Sequence, residues 1–163
     1  MKKYRRLTLA AVFAAVITLS TLFLRVPTAV GYIHLGDGAV LLGALMLDAP
    51  FSCAAAVIGS ALADLLGGYA VYIPATAVIK CGMVLIMRAF LAKKDGHTAF
   101  RRVFGCALAE GFMVIGYFIY EAFVLSYGAG ALPGVALDAV QGVCGGVMAL
   151  VVFKAMKNGN SAK

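Results

Sequence analysis

The sequence predicts an all-α integral membrane protein, a bundle of six transmembrane helices with both termini in the cytoplasm, and three observations carry that reading. The 163 residues are 63% hydrophobic and 13% charged, with a mean hydropathy of +0.98, far outside the range of an ordinary soluble domain. Apolar segments run near 7–24, 39–48, 51–66, 75–92, 103–125 and 134–154, with polar or Gly/Pro breaks between them. The basic residues gather at alternate breaks. Lys2, Lys3, Arg5 and Arg6 open the chain; Arg88, Lys93, Lys94, Arg101 and Arg102 flank the fourth connection; Lys154, Lys157 and Lys163 close it, leaving Arg25 and Lys80 of the fourteen elsewhere. With six spans all three clusters fall on one side, and the positive-inside rule makes that side cytoplasmic.

Each element follows from its neighbours. The first helix resembles a signal peptide, but its apolar run is long and has no small-residue cleavage site before Arg25, so it is read as a retained span. The second segment, about ten residues, covers only ~15 Å of a ~30 Å hydrocarbon core and must tilt, pack internally or draw on flanking turns. Pro50, Pro74 and Pro133 sit at the starts of the third, fourth and sixth helices, where a missing N–H does least harm. Residues 1–163 read as one transmembrane domain without internal repeat or soluble appendage.

The net charge of +7 is spent on helix ends and not on one binding face, which excludes nucleic acid as a partner. Cys53, Cys81, Cys106 and Cys144 are scattered through apolar segments without metal-binding spacing, so neither a metal site nor a disulfide framework is expected. No phosphate-binding loop, His-Glu-x-x-His or Ser/His/Asp arrangement occurs, so neither an enzyme nor a cofactor is expected.

Ionisable residues in hydrocarbon are costly and face a cavity, a partner or a substrate. His34 and Asp37 precede the second helix, Asp64 ends the third, Lys80 lies two turns into the fourth, Glu121 nears the end of the fifth, and Asp138 and Gln141 open the sixth. All belong to the outer end of the bundle. Tyr32, Tyr69, Tyr72, Tyr117, Tyr120 and Tyr127 fall at the same end, either as an interfacial belt or as ring contacts for a ligand. Lys80 is read either as a ligand contact or as the partner of Asp64 or Glu121 in a buried ion pair; Asp37 serves equally as a helix cap or a ligand contact. Glu110 is expected nearer the cytoplasm and outside the site. On the first helix, Ala10, Ala11, Ala14 and Ala15 form overlapping Ala-x-x-x-Ala pairs, suited either to internal packing or to docking on another membrane subunit.

Together with the chain's size and six helices, the segments Tyr32-Ile33-His34-Leu35-Gly36-Asp37, Gly59-Ser60-Ala61-Leu62-Ala63-Asp64-Leu65-Leu66 and Pro74-Ala75-Thr76-Ala77-Val78-Ile79-Lys80, in that order and with the alanine motif, resemble the substrate-binding S components of energy-coupling factor (ECF) vitamin transporters. The resemblance covers the whole chain and looks closest to the branch for B6 vitamers and hydroxymethylpyrimidine, a branch sometimes labelled riboflavin. It implies a bacterial plasma-membrane protein that captures a small heteroaromatic vitamin outside. Delivery would pass through a transmembrane scaffold subunit and two cytoplasmic ATPases. The implied ligand contacts are His34, Asp37, Asp64, Tyr69, Tyr72, Lys80, Tyr117, Glu121, Asp138 and Gln141, with the Ala10/Ala14 face docking. The chain has no Trp, a stacking residue common in thiamine and biotin binders of the family. A rival from another class is a stand-alone proton-coupled carrier or channel, in which Asp64, Lys80, Glu121 and Asp138 relay protons.

Overall fold

The computed structural model describes residues 3–27, 32–92 and 98–161. Six α-helices pack into a bundle: α1 (Lys3–Phe23), α2 (Gly36–Met46), α3 (Ala49–Gly67), α4 (Ile73–Leu91), α5 (Ala99–Ile119) and α6 (Leu132–Ser161). Five of the helical stretches are long and apolar enough to cross a membrane, and α2 is not. Lys2, Lys93, Lys94 and Lys163, part of the charge pattern behind the predicted orientation, lie outside the described residues.

The two ends of the bundle differ. At one end Asp48, between α2 and α3, meets Arg6 of α1 at 2.7 Å and Arg88 of α4 at 4.0 Å. At the other end lie the close of α1, α3 and α5 and the start of α4 and α6. Helices therefore alternate in direction, as short connections require.

The sequence did not signal an antiparallel hairpin between α1 and α2. Strand β1 (Arg25–Pro27) pairs with β2 (Tyr32–His34) in the register Arg25↔His34, Val26↔Ile33 and Pro27↔Tyr32, and the Leu35 N–H donates to the Leu24 carbonyl at 3.2 Å. The hairpin carries the chain back into the bundle before α2 begins. A Cβ on Gly38 would lie 3.0 Å from the Gly145 carbonyl of α6, seven residues or about 10 Å deeper than Asp138. Starting at that depth, α2 reaches the opposite end in 11 residues, and the burial of Asp37 to Leu41, Ala44 and Leu45 makes it the central rod of the core.

Close approach of α1 and α3 depends on Gly59. A Cβ there would lie 2.6 Å from the Ala14 carbonyl, and the space admits the Thr18 hydroxyl, which donates to Gly59 O and Ala14 O, both at 2.9 Å. Ala10 is buried against Ala55 and Leu47. Ala10 and the half-buried Ala14 serve the α1–α3 contact, the internal-packing alternative of the alanine motif, while Ala11 and Ala15 are exposed. Helix spacing explains it, since residues 10 and 14 share one face and residues 11 and 15 the next.

Helix ends also run past the apolar segments. Thr98 caps α5, its hydroxyl accepting the Arg101 N–H at 3.4 Å, which starts the helix before its apolar run. Beyond its apolar run α6 continues through Lys154, Ala155, Met156 and Lys157, good helix formers whether or not they face lipid.

Candidate functional site

Three local structures aim side chains into the space between the helix ends. Gly68 caps α3 with a left-handed φ of 85°, its N–H bonding back to Leu65 O, and the Tyr69 N–H follows to Asp64 O at 2.8 Å. That reversal sets Tyr69 and Tyr72 beside Asp64. At the end of α5 the chain widens into a π-turn, Tyr120–Val124, a local insertion that re-aims a side chain; here it turns Glu121 inward. The hairpin delivers Tyr32 and His34 from above.

The resulting cavity encloses about 380 Å³ including its open mouth, lined by Tyr32, His34, Asp64, Tyr72, Thr76, Tyr117, Glu121, Asp138 and Gln141. Its walls are tied together by hydrogen bonds. Tyr32 Oη donates to Asp64 Oδ1 at 2.5 Å, Tyr72 Oη donates to Glu121 Oε1 at 3.1 Å, and the Thr76 and Tyr117 hydroxyls lie 3.1 Å apart. Gln141 bridges the hairpin and the core: its Oε1 accepts the His34 N–H at 2.7 Å, and its Nε2 donates to Asp37 Oδ2 at 2.6 Å. The tyrosine rings are neighbours at 4.6 Å (Tyr32–Tyr69), 6.3 Å (Tyr69–Tyr72) and 6.4 Å (Tyr72–Tyr117), all tilted or edge-on.

Among the ten expected contacts, His34, Asp64, Tyr72, Tyr117, Glu121, Asp138 and Gln141 line the cavity. Tyr69 stands at the rim against Tyr32. Asp37 and Lys80 lie behind the wall: they form an ion pair with each other at 0% and 1% exposure. The expected partners of Lys80, Asp64 or Glu121, are thus corrected to Asp37, which makes no capping bond of its own. The reason is depth, because the hairpin sinks Asp37 to the level of Lys80.

Glu110 is also closer to this group than expected. A Cβ on Gly145 would lie 3.1 Å from Glu110 Oε1 and 3.2 Å from Asp37 Cβ, so Glu110 adjoins the pair, and neither of its carboxyl oxygens has a hydrogen-bond partner. Tyr32 and Thr76 were missing from the expected contacts although both stand in the segments that carry the resemblance; facing side chains across a hairpin and a helix is information that no single periodicity contains.

Two groups outside the spans have perturbed acidities. Burial drops His34 to about 4, with the Lys80 charge adding to the effect and Asp37 opposing it. Its Nδ1 accepts the Gly36 N–H at 2.9 Å, so the neutral ring holds its proton on Nε2. Burial, then the charge of Asp64, pushes the Tyr32 hydroxyl upward; it remains a donor at any physiological pH.

The arrangement interleaves aromatic rings with carboxyl groups around one space, and no assembled nucleophile stands among the described lining residues. Similarity to known proteins agrees. A protein of Pyrococcus woesei described as "Uncharacterized protein in gap 3'region" is 33% identical over 132 residues, 79% of this chain and 86% of that one. Residues 1–158 match the family described as ECF-type riboflavin transporter, S component. A multi-pass bundle with a polar cavity between its helix ends suits a transporter's binding subunit, and the chain belongs to the S-component family of ECF transporters.

Proposed function

We propose that this S component captures a small water-soluble heteroaromatic vitamin, a B6 vitamer or hydroxymethylpyrimidine, at the outer face and delivers it through an ECF scaffold subunit and two ATPases. The observation that carries the reading is the cavity itself. Nine side chains from the hairpin and four helices converge on it, and they combine ring faces with hydrogen-bonding groups that a single polar ring can satisfy.

Riboflavin is the second reading, supported by the description of the matched family. Native mass spectrometry of protein purified from rich medium separates the two by the mass of the retained ligand. Orientation follows the same proposal: six spans, with α2 counted as one, and the basic end in the cytoplasm.

Energy comes from the partners in this reading, so the chain reconstituted alone in liposomes binds substrate without accumulating it. Concentrative uptake by the lone protein would instead establish the proton-coupled carrier. The exposed Ala11/Ala15 stripe of α1 is the proposed docking surface, small residues permitting backbone contact in lipid. Replacing both with Phe should abolish uptake by the assembled transporter and leave ligand affinity within a few-fold; strong loss of affinity with normal assembly would place that face in the binding core.

A further inference from the structure

The cavity carries more acidic groups than the protein neutralises. Asp64, Glu121 and Asp138 all line it, yet the ion pairs among the described residues are Arg6–Asp48, Arg88–Asp48 and Lys80–Asp37. None involves a cavity carboxyl. Tyr32 and Tyr72 supply a hydroxyl donor each to Asp64 and Glu121, but Asp64 Oδ2 is buried without a hydrogen-bond partner, in a side chain only 4% exposed. An orphaned carboxylate oxygen in such a place costs roughly what a lost charged hydrogen bond costs.

The nearby cations are already engaged. Lys80 is held by Asp37 behind the wall, and the Arg25 guanidinium lies over the Tyr32 and Tyr69 rings at 5.6 and 6.0 Å while reaching the Gly67 carbonyl at 3.5 Å. His34 spends Nδ1 on the Gly36 N–H. Facing the space are three carboxyls, one with an unfilled acceptor oxygen, the His34 ring, and the tyrosines Tyr72 and Tyr117, the latter with the Lys80 ammonium already 5.2 Å from its ring centroid. Among the described residues the three carboxyls have no ion-pair partner, and the complement they call for is a compact cationic donor.

We propose that the ligand is an aminomethyl-substituted heteroaromatic ring whose protonated amine sits against Asp64, Glu121 and Asp138 while the ring packs among the tyrosines. The assignment rests on reading the cavity as the vitamin-capturing site. An ammonium brings three N–H donors to three acidic side chains and fills the free Asp64 oxygen. A hydroxymethyl group of nearly the same size brings one donor and no charge, and leaves the carboxyls facing one another uncompensated.

The test is titration of the purified chain with two matched pairs: pyridoxamine against pyridoxine, and 4-amino-5-aminomethyl-2-methylpyrimidine against its 5-hydroxymethyl counterpart. Within a pair the size is nearly constant and the charge changes. The aminomethyl member should bind about tenfold tighter or more, the range for a charge-assisted hydrogen bond. Glu121→Gln and Asp138→Asn should each shrink that ratio by at least about threefold, as should Asp64→Asn if it folds. Equal or tighter binding of both hydroxymethyl members overturns the assignment while leaving vitamin capture standing. A ratio preserved in every folded variant overturns it too. If none of the four compounds binds, the single-ring reading and this one fall together, and because the ratio in the unaltered protein is decisive, a misfolded variant does not shelter the claim.

Discussion

Asp37, behind the cavity wall, and Asp64, Glu121 and Asp138, along it, are treated oppositely. Behind the cavity wall, Asp37 has a cation in Lys80, an amide donor in Gln141 and essentially no exposure. Along the wall, Asp64 and Glu121 accept tyrosine hydroxyls, and among the described residues none of Asp64, Glu121 and Asp138 forms an ion pair. Paired charge is a self-sufficient structural joint between α2, α4 and α6. Under the proposed function, unpaired acid beside open space is the ligand's side of the molecule, and the difference separates what holds the bundle together from what it would hold.

The sharpest way to break that distinction is to remove the cation. Lys80→Met should destabilise the protein by about 3–5 kcal/mol, the cost of leaving a buried charge unpaired, read as a loss of thermal stability in detergent. Adding Asp37→Asn should recover much of it. Retained stability with a selective loss of ligand affinity would move Lys80 from the joint to the wall, where its sequence position alone suggests it belongs.

The wall should behave in reverse. Glu121→Gln or Asp138→Asn should change stability by less than ~1 kcal/mol but weaken ligand binding by roughly 1–3 kcal/mol, about five- to 150-fold. Calorimetric titration and thermal unfolding of the same samples measure both sides. A variant that unfolds with unaltered affinity would make its carboxyl structural.

His34 joins the two regions, its N–H on Gln141 and its ring on the cavity, and gives the smallest expected effect. Burial holds it at about 4, below its ordinary 6.5, so between these values the unfolded chain binds more protons than the folded one. Stability therefore falls as pH drops from 6.5 toward 4 and levels off below. His34→Gln should flatten that part of the stability profile, and an unchanged slope would assign it to other groups.

The helices were legible because the apolar runs are long and the basic clusters mark alternate ends. So was the gathering of polar residues at one end: His34, Asp64, Glu121, Asp138 and Gln141 sit near breaks on the same side once the helices are counted. Partner choice was not legible. Lys80 stands nearer in sequence to Asp64 than to Asp37, and only the hairpin, whose short strands carry no strong alternation, lowers Asp37 to meet it. The alanine stripe shows the same limit: four residues on adjoining faces of one helix fit either fate, and Gly59 on α3 decides which face is consumed.

By itself the sequence determined that the chain enters a bilayer, how its helices alternate, and that the ends opposite the basic clusters carry costly polar groups, because hydropathy and charge act locally and hydrocarbon tolerates few alternatives. Only the tertiary structure decided which acid is neutralised and which is left facing the cavity. That outcome depends on the depth at which each helix begins, set by the β1–β2 hairpin, the Gly68 turn and the π-turn before Ser126, and a shift of one turn exchanges a buried ion pair for an unsatisfied carboxylate.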